Sequence, residues 1–262
     1  MKTKTSKPQH LFLLTNDDGY YSQGIITLAQ ELSQIGQVYI VAPDREKSSV
    51  SLALTLRRPL RAERIARNIF SVDGTPADCV YIALRHILPR KPDLLISGMN
   101  KGSNLGCQDV SYSGTVAAAL QGTFMGIPSI AVSLLGRNGR NGHQYDFEKS
   151  ASLIRSMVQI LLQKKLAPKI YLNINIPPFP VKGIKITRLG EKRYSPELIK
   201  KRDPRGKTYF WIGVGNPQAV GPRNSDVQVI EKGWVSITPL QIDRTAQAVI
   251  SSQLLTRLKK CC

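Results

Sequence analysis

Two aspartates stand side by side at positions 17 and 18, separated by two residues from the apolar run 11–14 and directly before Gly19. Carboxylates about 4 Å apart repel by roughly 1 kcal/mol in water and by about 4 kcal/mol at an effective dielectric near 20. Water, a basic side chain or a metal ion must offset that repulsion. Two further segments carry oxygen-bearing side chains: "PDREKSS" (43–49), with Asp44, Ser48 and Ser49, and "GMNKGSN" (98–104), with Asn100 and Asn104. Carboxylate, hydroxyl and amide oxygens together suit a hard divalent cation such as Mg²⁺ or Mn²⁺. The three histidines, His10, His86 and His143, lie outside these segments, which disfavours zinc and a Ser-His-Asp hydrolase. A fourth segment, "YSGTVAAAL" (112–120), places Ser113, Gly114 and Thr115 at the start of a helical pattern. Backbone N–H groups at such a start, with two hydroxyls beside them, can bind a phosphate, although Ser and Thr also serve there as ordinary helix caps.

The elements that carry these residues read as alternating strand and helix. Short apolar runs at 11–16, 37–42, 93–97, 129–135 and 169–177 predict strands. Between them lie helical patterns with Ile25, Leu28, Ala29 and Leu32 on one face, and at about 75–88, 114–125 and 146–165. Thr75-Pro76-Ala77-Asp78 has the composition of a helix start, with Thr75 as the cap and Pro76 in the first position. Strands apolar on both faces and separated by helices predict a parallel sheet covered on both sides. In such a sheet the loops after the strands emerge at one carboxyl edge, where ligands bind. That rule gathers Asp17, Asp18, Asp44, Ser48, Ser49, Asn100 and Asn104 at a single edge. The stretch 136–143, "GRNGRNGH", reads as a boundary or turn, and 183–240 as β-rich. The basic stretch 185–207 holds nine Lys or Arg against three acids, and 242–260 has an amphipathic helical pattern.

Length and composition bound the rest. A chain of 262 residues with 42% hydrophobic content can build a substantial core. The uncharged stretch around 110–136 is broken by polar residues, glycine and Pro128, so it does not read as a membrane span. The basic N-terminus is followed by too short an apolar run for a signal peptide, which makes a cytoplasmic location the expectation. Cys79, Cys107, Cys261 and Cys262 lack zinc-site spacing and fit a reducing compartment. A formal charge of +19 favours anionic partners. No nucleic-acid-binding signature accompanies it, so nucleic acid is expected to bind only through non-specific charge.

The segments "LLTNDDG", "IVAPDREKS", "GTPADCV", "SGMNKGSNLG", "YSGTVAAA" and "GWVSITPL", in consistent order over about residues 11 to 245, resemble the survival protein SurE family of metal-dependent 5′/3′-nucleotidases. The resemblance implies a three-layer α/β/α fold with a mostly parallel, Rossmann-like sheet. It also implies a catalytic core over 1–180, and over 181–262 a hairpin and helix for oligomerisation that is not an independent domain. By the same motifs Asp17, Asp18, Ser48 and Asn100 are the implied ligands of one divalent cation per subunit, Mg²⁺ or Mn²⁺. Asn104, Ser113, Gly114 and Thr115 are the implied phosphate-binding groups, and Asp17, Asp18, Asn104 and Ser113 the catalytic ones. The implied partners are nucleoside monophosphates and further copies of the chain, as homodimer or homotetramer, with no membrane. Two departures stand out. "NLGCQDVSY" is one residue longer than the family's N-L-G-x-D-V-x-Y, and "DDGYYSQGI" lacks the proline that many relatives have before the second glycine.

The reaction expected is hydrolysis of nucleoside 5′- and 3′-monophosphates to nucleoside and phosphate by a metal-activated water, with short polyphosphates left open as substrates. A rival mechanism makes one aspartate a nucleophile that forms an aspartyl-phosphate. Rival functions are a nucleic-acid-binding module, motivated by the charge, and a metal-dependent transferase using the aspartate pair.

Overall fold

The computed structural model describes residues 10–139, 142–164, 166–194, 197–213 and 218–245. The chain opens with β1 (His10–Thr15), α1 (Gln23–Leu32) and β2 (Gly36–Pro43), then a strand pair, β3 (Ala62–Ala66) and β4 (Ile69–Val72). Next comes α2 (Pro76–Ile82), which continues as one π-helical turn, Ala83–Ile87. It is followed by β5 (Leu94–Lys101), α3 (Gly106–Tyr112), α4 (Gly114–Phe124) and β6 (Ser129–Leu134). A small hairpin, β7 (Arg137–Gly139) and β8 (Gly142–Gln144), leads to α5 (Phe147–Gln163) and β9 (Ile170–Ile176). The remainder holds β10 (Ile184–Ile186), β11 (Glu191–Arg193), β12 (Glu197–Arg202), β13 (Thr208–Gly213), β14 (Gln218–Val220), α6 (Asp226–Glu231) and β15 (Val235–Gln241).

Nine strands form one sheet in the order β10-β15-β9-β6-β5-β1-β2-β4-β3. The six from β9 to β4 run parallel, while β15 and β3 run antiparallel to their neighbours β9 and β4. Alternate residues of the parallel strands enter opposite cores, because successive side chains point to opposite faces. Phe12, Leu14, Ile96 and Val132 pack with Ile25 and Leu28 of α1 and Ile154 and Val158 of α5. Leu13, Val41 and Leu95 pack on the other face with Val80 of α2 and Ala118 of α4. The result is a three-layer α/β/α fold, and burial on both faces is why the strands read as uninterrupted apolar runs.

From β1 the chain moves to β2 on one side and later returns to lay β5 on the other side of β1. The crevice at the carboxyl ends of β1 and β5 is therefore the topological switch point, the usual ligand site of an open α/β sheet.

Local signals explain the boundaries. Thr75 caps α2 in a reciprocal box: its Oγ1 accepts from Asp78 N at 3.1 Å, and Asp78 Oδ2 accepts from Thr75 N at 2.9 Å. The proline missing from "DDGYYSQGI" corresponds to Gln23, the first residue of α1. That is the position where proline is tolerated in helices, and here Gln23 Nε2 instead donates to Thr27 Oγ1 at 2.9 Å. Three features depart from the sequence reading. β3 and β4 form where no strands are predicted, α3 occupies the lengthened "GCQDVSY" segment, and β5 runs on past residue 97 to Lys101. Within β5 the register against β6 shifts between Ser97 and Asn100. Beyond residue 180 the chain rejoins the main sheet through β10 and β15, while β12 and β13 form a separate two-stranded ribbon from the basic stretch. The helix expected over 242–260 falls largely outside the described residues. Among those described, no helix is long and apolar enough to cross a membrane.

Candidate active site

Asn16 shapes the loop that follows β1. Its Nδ2 donates to Gly19 O at 2.9 Å and Ser22 Oγ at 2.7 Å, and its Oδ1 accepts from Gly19 N at 3.2 Å. Gly19 has φ +100°, a conformation that glycine takes without the Cβ penalty. This knot turns the chain into α1 and leaves Asp17 and Asp18 at the carboxyl edge of the sheet. The 44–50 segment joins them there, because Lys47 N donates to Asp17 O at 2.7 Å.

The start of α4 closes on Asp17 from the other side. Thr115 donates to it twice, from Oγ1 to Oδ1 at 2.6 Å and from N to Oδ2 at 3.2 Å. A Cβ at Gly114 would lie 3.1 Å from both Asp17 Cβ and Asp17 Oδ2, so a side chain there would have to displace the carboxylate by a few tenths of an ångström. Thr115, expected among the phosphate-binding groups, instead gives both of its donors to Asp17.

Electrostatics single out the pair. Burial pushes the Asp17 carboxyl up, opposed by its bonds from Thr115. Asp18 is pushed up to about 6, first by burial and then by the charge of Asp17, while the Lys101 N–H and ammonium oppose the rise. Glu46 adds repulsion on both aspartates. Asp18 Oδ2 is buried and meets no hydrogen-bond donor. A buried carboxylate oxygen without a donor, beside two further acids, has the donor character of a cation site. Ser48 and Asn100 lie next to residues bonded to the pair. Ser48 Oγ donates to Glu46 Oε1 at 2.6 Å, and Asn100 Nδ2 donates to Gly102 O at 2.8 Å, leaving its Oδ1 for another partner. Among the described residues no three His, Cys, Asp or Glu form a metal-binding group; the set here is two carboxylates with a hydroxyl and an amide. Asp44 is not part of it, because its carboxylate turns to the guanidinium of Arg45 at 2.6 Å.

Ser113 caps α4, its Oγ accepting from Val116 N at 3.1 Å, so its hydroxyl proton remains available to a ligand. Asn104 sits in the segment between β5 and α3, only 8% exposed, and its Nδ2 donates to Ser133 Oγ at 2.7 Å. The extra residue of "NLGCQDVSY" is taken up in α3. Asp109 there accepts from Lys192 Nζ and Tyr194 OH, each at 2.5 Å, tying the helix to β11, and burial together with Asp109 pushes the Tyr194 hydroxyl up. Asp226, fully buried, accepts from Gly106 N and Gly190 N at 2.8 Å each.

Sequence reasoning missed the role of Glu46, the use of Thr115 as the partner of Asp17, and the buried residues behind Asn104. For Glu46 a signal existed, a third acid two positions from Ser48 in a loop already singled out. The others depend on contacts between segments 29 to 98 residues apart, for which a single sequence carries no signal.

The chain matches the family model described as "Survival protein SurE" over residues 12–196. It is 45% identical to the "5'-nucleotidase SurE" of Geotalea uraniireducens over 236 residues, 89% of this chain and 93% of that protein. It is 46% identical to the protein of the same name from Vibrio cholerae over 245 residues, 92% and 94% of the two chains. Among solved structures, that of the SurE protein from Aquifex aeolicus superposes with a TM-score of 0.78 at 40% identity, covering 96% of this chain and 99% of that one.

Proposed function

This chain belongs to the survival protein SurE family of phosphoric monoester hydrolases, and we propose that it hydrolyses nucleoside 5′- and 3′-monophosphates, and short polyphosphates, at the carboxyl edge of β1 and β5. The observation that carries the proposal is the buried, donor-free Oδ2 of Asp18 beside Asp17 at the switch point of the sheet. Asp17, Asp18, Ser48 and Asn100 would hold one Mg²⁺ or Mn²⁺ through oxygen atoms alone. When bound, such a cation lowers the pKa of a water and polarises the phosphoryl group.

The chain's own groups do the remaining work. Thr115 fixes Asp17 through two hydrogen bonds, so the carboxylate is oriented before a ligand arrives. The Ser113 hydroxyl, the second Nδ2 hydrogen of Asn104 and the Gly114 amide would serve as donors to the phosphoryl oxygens, where negative charge builds up. The N-terminus of α4 adds its positive dipole end. The net charge of +19 favours an anionic substrate. The ribbon of β12 and β13, with Phe210, Trp211 and Ile212 exposed, supports a homodimer or homotetramer.

The test is phosphate release from 5′-AMP and 3′-AMP with added Mg²⁺ or Mn²⁺. Asp17→Asn is expected to abolish release while leaving the circular dichroism spectrum unchanged, and excess EDTA to abolish it in the wild type. Full activity under either condition overturns the site assignment. Acid quench of a single turnover with ³²P-labelled 5′-AMP separates the two mechanisms: protein-bound label marks an aspartyl-phosphate, and its absence together with inversion at phosphorus marks direct attack by water.

A further inference from the structure

Asn173 and Asn175 stand two positions apart on β9, hence on one face of the sheet, and neither exposes any surface. A buried carboxamide without partners costs roughly 1–3 kcal/mol by protein mutational data, so the partners it finds are informative. Here they converge on one residue of a distant segment. Asn175 Oδ1 accepts from Asn104 N at 2.8 Å, and its Nδ2 donates to Asn104 O at 3.0 Å. Asn173 Nδ2 donates to the same carbonyl at 2.8 Å. Ser133, aligned with Asn175 across the pairing of β6 and β9, accepts from the Asn104 side chain at 2.7 Å.

Asn104 lies three residues past the end of β5, where the strand ladder no longer holds the chain. The side chains of two neighbouring strands replace that ladder. The arrangement carries a cost, because Asn173 Oδ1 is buried without a donor; a purely packed core would use apolar residues here. With one Nδ2 hydrogen committed to Ser133, the amide of Asn104 keeps a second to donate.

We propose that Asn173, Asn175 and Ser133 are positioning residues that aim the Asn104 amide at the phosphate group of the substrate. The inference rests on the reading of Asn104 as a phosphate-binding group, and the experiment separates the two. Binding of orthophosphate to the Mn²⁺-loaded protein, and of Mn²⁺ alone, is measured by calorimetry for wild type, Ser133→Ala, Asn175→Leu, Asn104→Ala and the Ser133→Ala/Asn104→Ala double variant. Ser133→Ala and Asn175→Leu are expected to weaken orthophosphate about 5- to 10-fold, the size of one hydrogen bond, with Mn²⁺ affinity changed less than about twofold. In the Asn104→Ala background Ser133→Ala is expected to add nothing. Ser133→Ala removes one small hydroxyl, so it decides the matter even if Asn175→Leu does not fold. Unchanged orthophosphate affinity in Ser133→Ala, an equal loss in both backgrounds, or a parallel loss of Mn²⁺ affinity overturns the proposal. Unchanged orthophosphate affinity in Asn104→Ala alone overturns its premise.

Discussion

At neutral pH the Asp18 carboxylate is ionised in a place that favours its protonated form, with a value near 6 against 3.8 for the free side chain. Between those values the folded state binds the extra proton. The resulting stabilisation is complete below about pH 4 and is lost as pH rises through 6. Cation-free protein in EDTA is therefore expected to melt at a lower temperature at pH 7 than at pH 5. Asp18→Asn should raise the melting temperature at pH 7 and flatten that slope, while eliminating Mn²⁺ binding; calorimetry checks both. If the proposed cation is held by these oxygens, protons compete with it, and Mn²⁺ affinity in the wild type should fall as pH drops below 6. Glu46 offers a second test at this scale. Its carboxylate accepts a hydrogen bond from the Ser48 hydroxyl, which leaves the Ser48 lone pairs free for a cation. Glu46→Gln is expected to weaken Mn²⁺ about tenfold, the usual cost of losing a ligand's outer partner.

Among the elements, α4 does most to build the site, because its first turn both caps itself with Ser113 and grips Asp17 through Thr115. Gly114→Ala is expected to cut kcat/KM at least tenfold, since the new methyl would press on Asp17 Cβ and Oδ2. The melting temperature should change by only a few degrees, because alanine is the better helix former and offsets part of the crowding. Steady-state kinetics beside a thermal melt separates the two effects. The element pattern was largely legible in the residues: β1, β5, β6 and β9 are apolar runs buried on both faces, and α2 carries its capping box in four consecutive letters. β3 was not, since every one of its residues is exposed and no apolar period marks it. α3 was not, because its segment reads as a lengthened loop and Asp109 is anchored from β11.

At the scale of the whole molecule, the chain carries a formal charge of +19, while its candidate site is rich in carboxylates. Long-range attraction of a nucleotide is screened within about 10 Å at 0.1 M salt, so KM for 5′-AMP should rise with ionic strength while kcat changes little; assays from 20 to 300 mM salt check this. Any binding of nucleic acid should fall steeply over the same range and persist in Asp17→Asn, because it uses the surface and not the site. From the sequence alone followed the α/β class, the carboxyl edge as the expected place of chemistry, and the residues Asp17, Asp18, Ser48, Asn100, Asn104, Ser113, Gly114 and Thr115 as its candidates. These follow because burial periodicity and the parallel-sheet rule act along short stretches of chain. Only the tertiary structure decided which oxygens are free and which are spent. Thr115 is bound to Asp17 over 98 positions of sequence, Asn104 is held from β9 across about 70, and Asp18 Oδ2 is left without a donor. Those outcomes arise from which strands become neighbours and how closely α4 approaches β1, and hydrogen bonds at 2.6–3.2 Å are set by that packing.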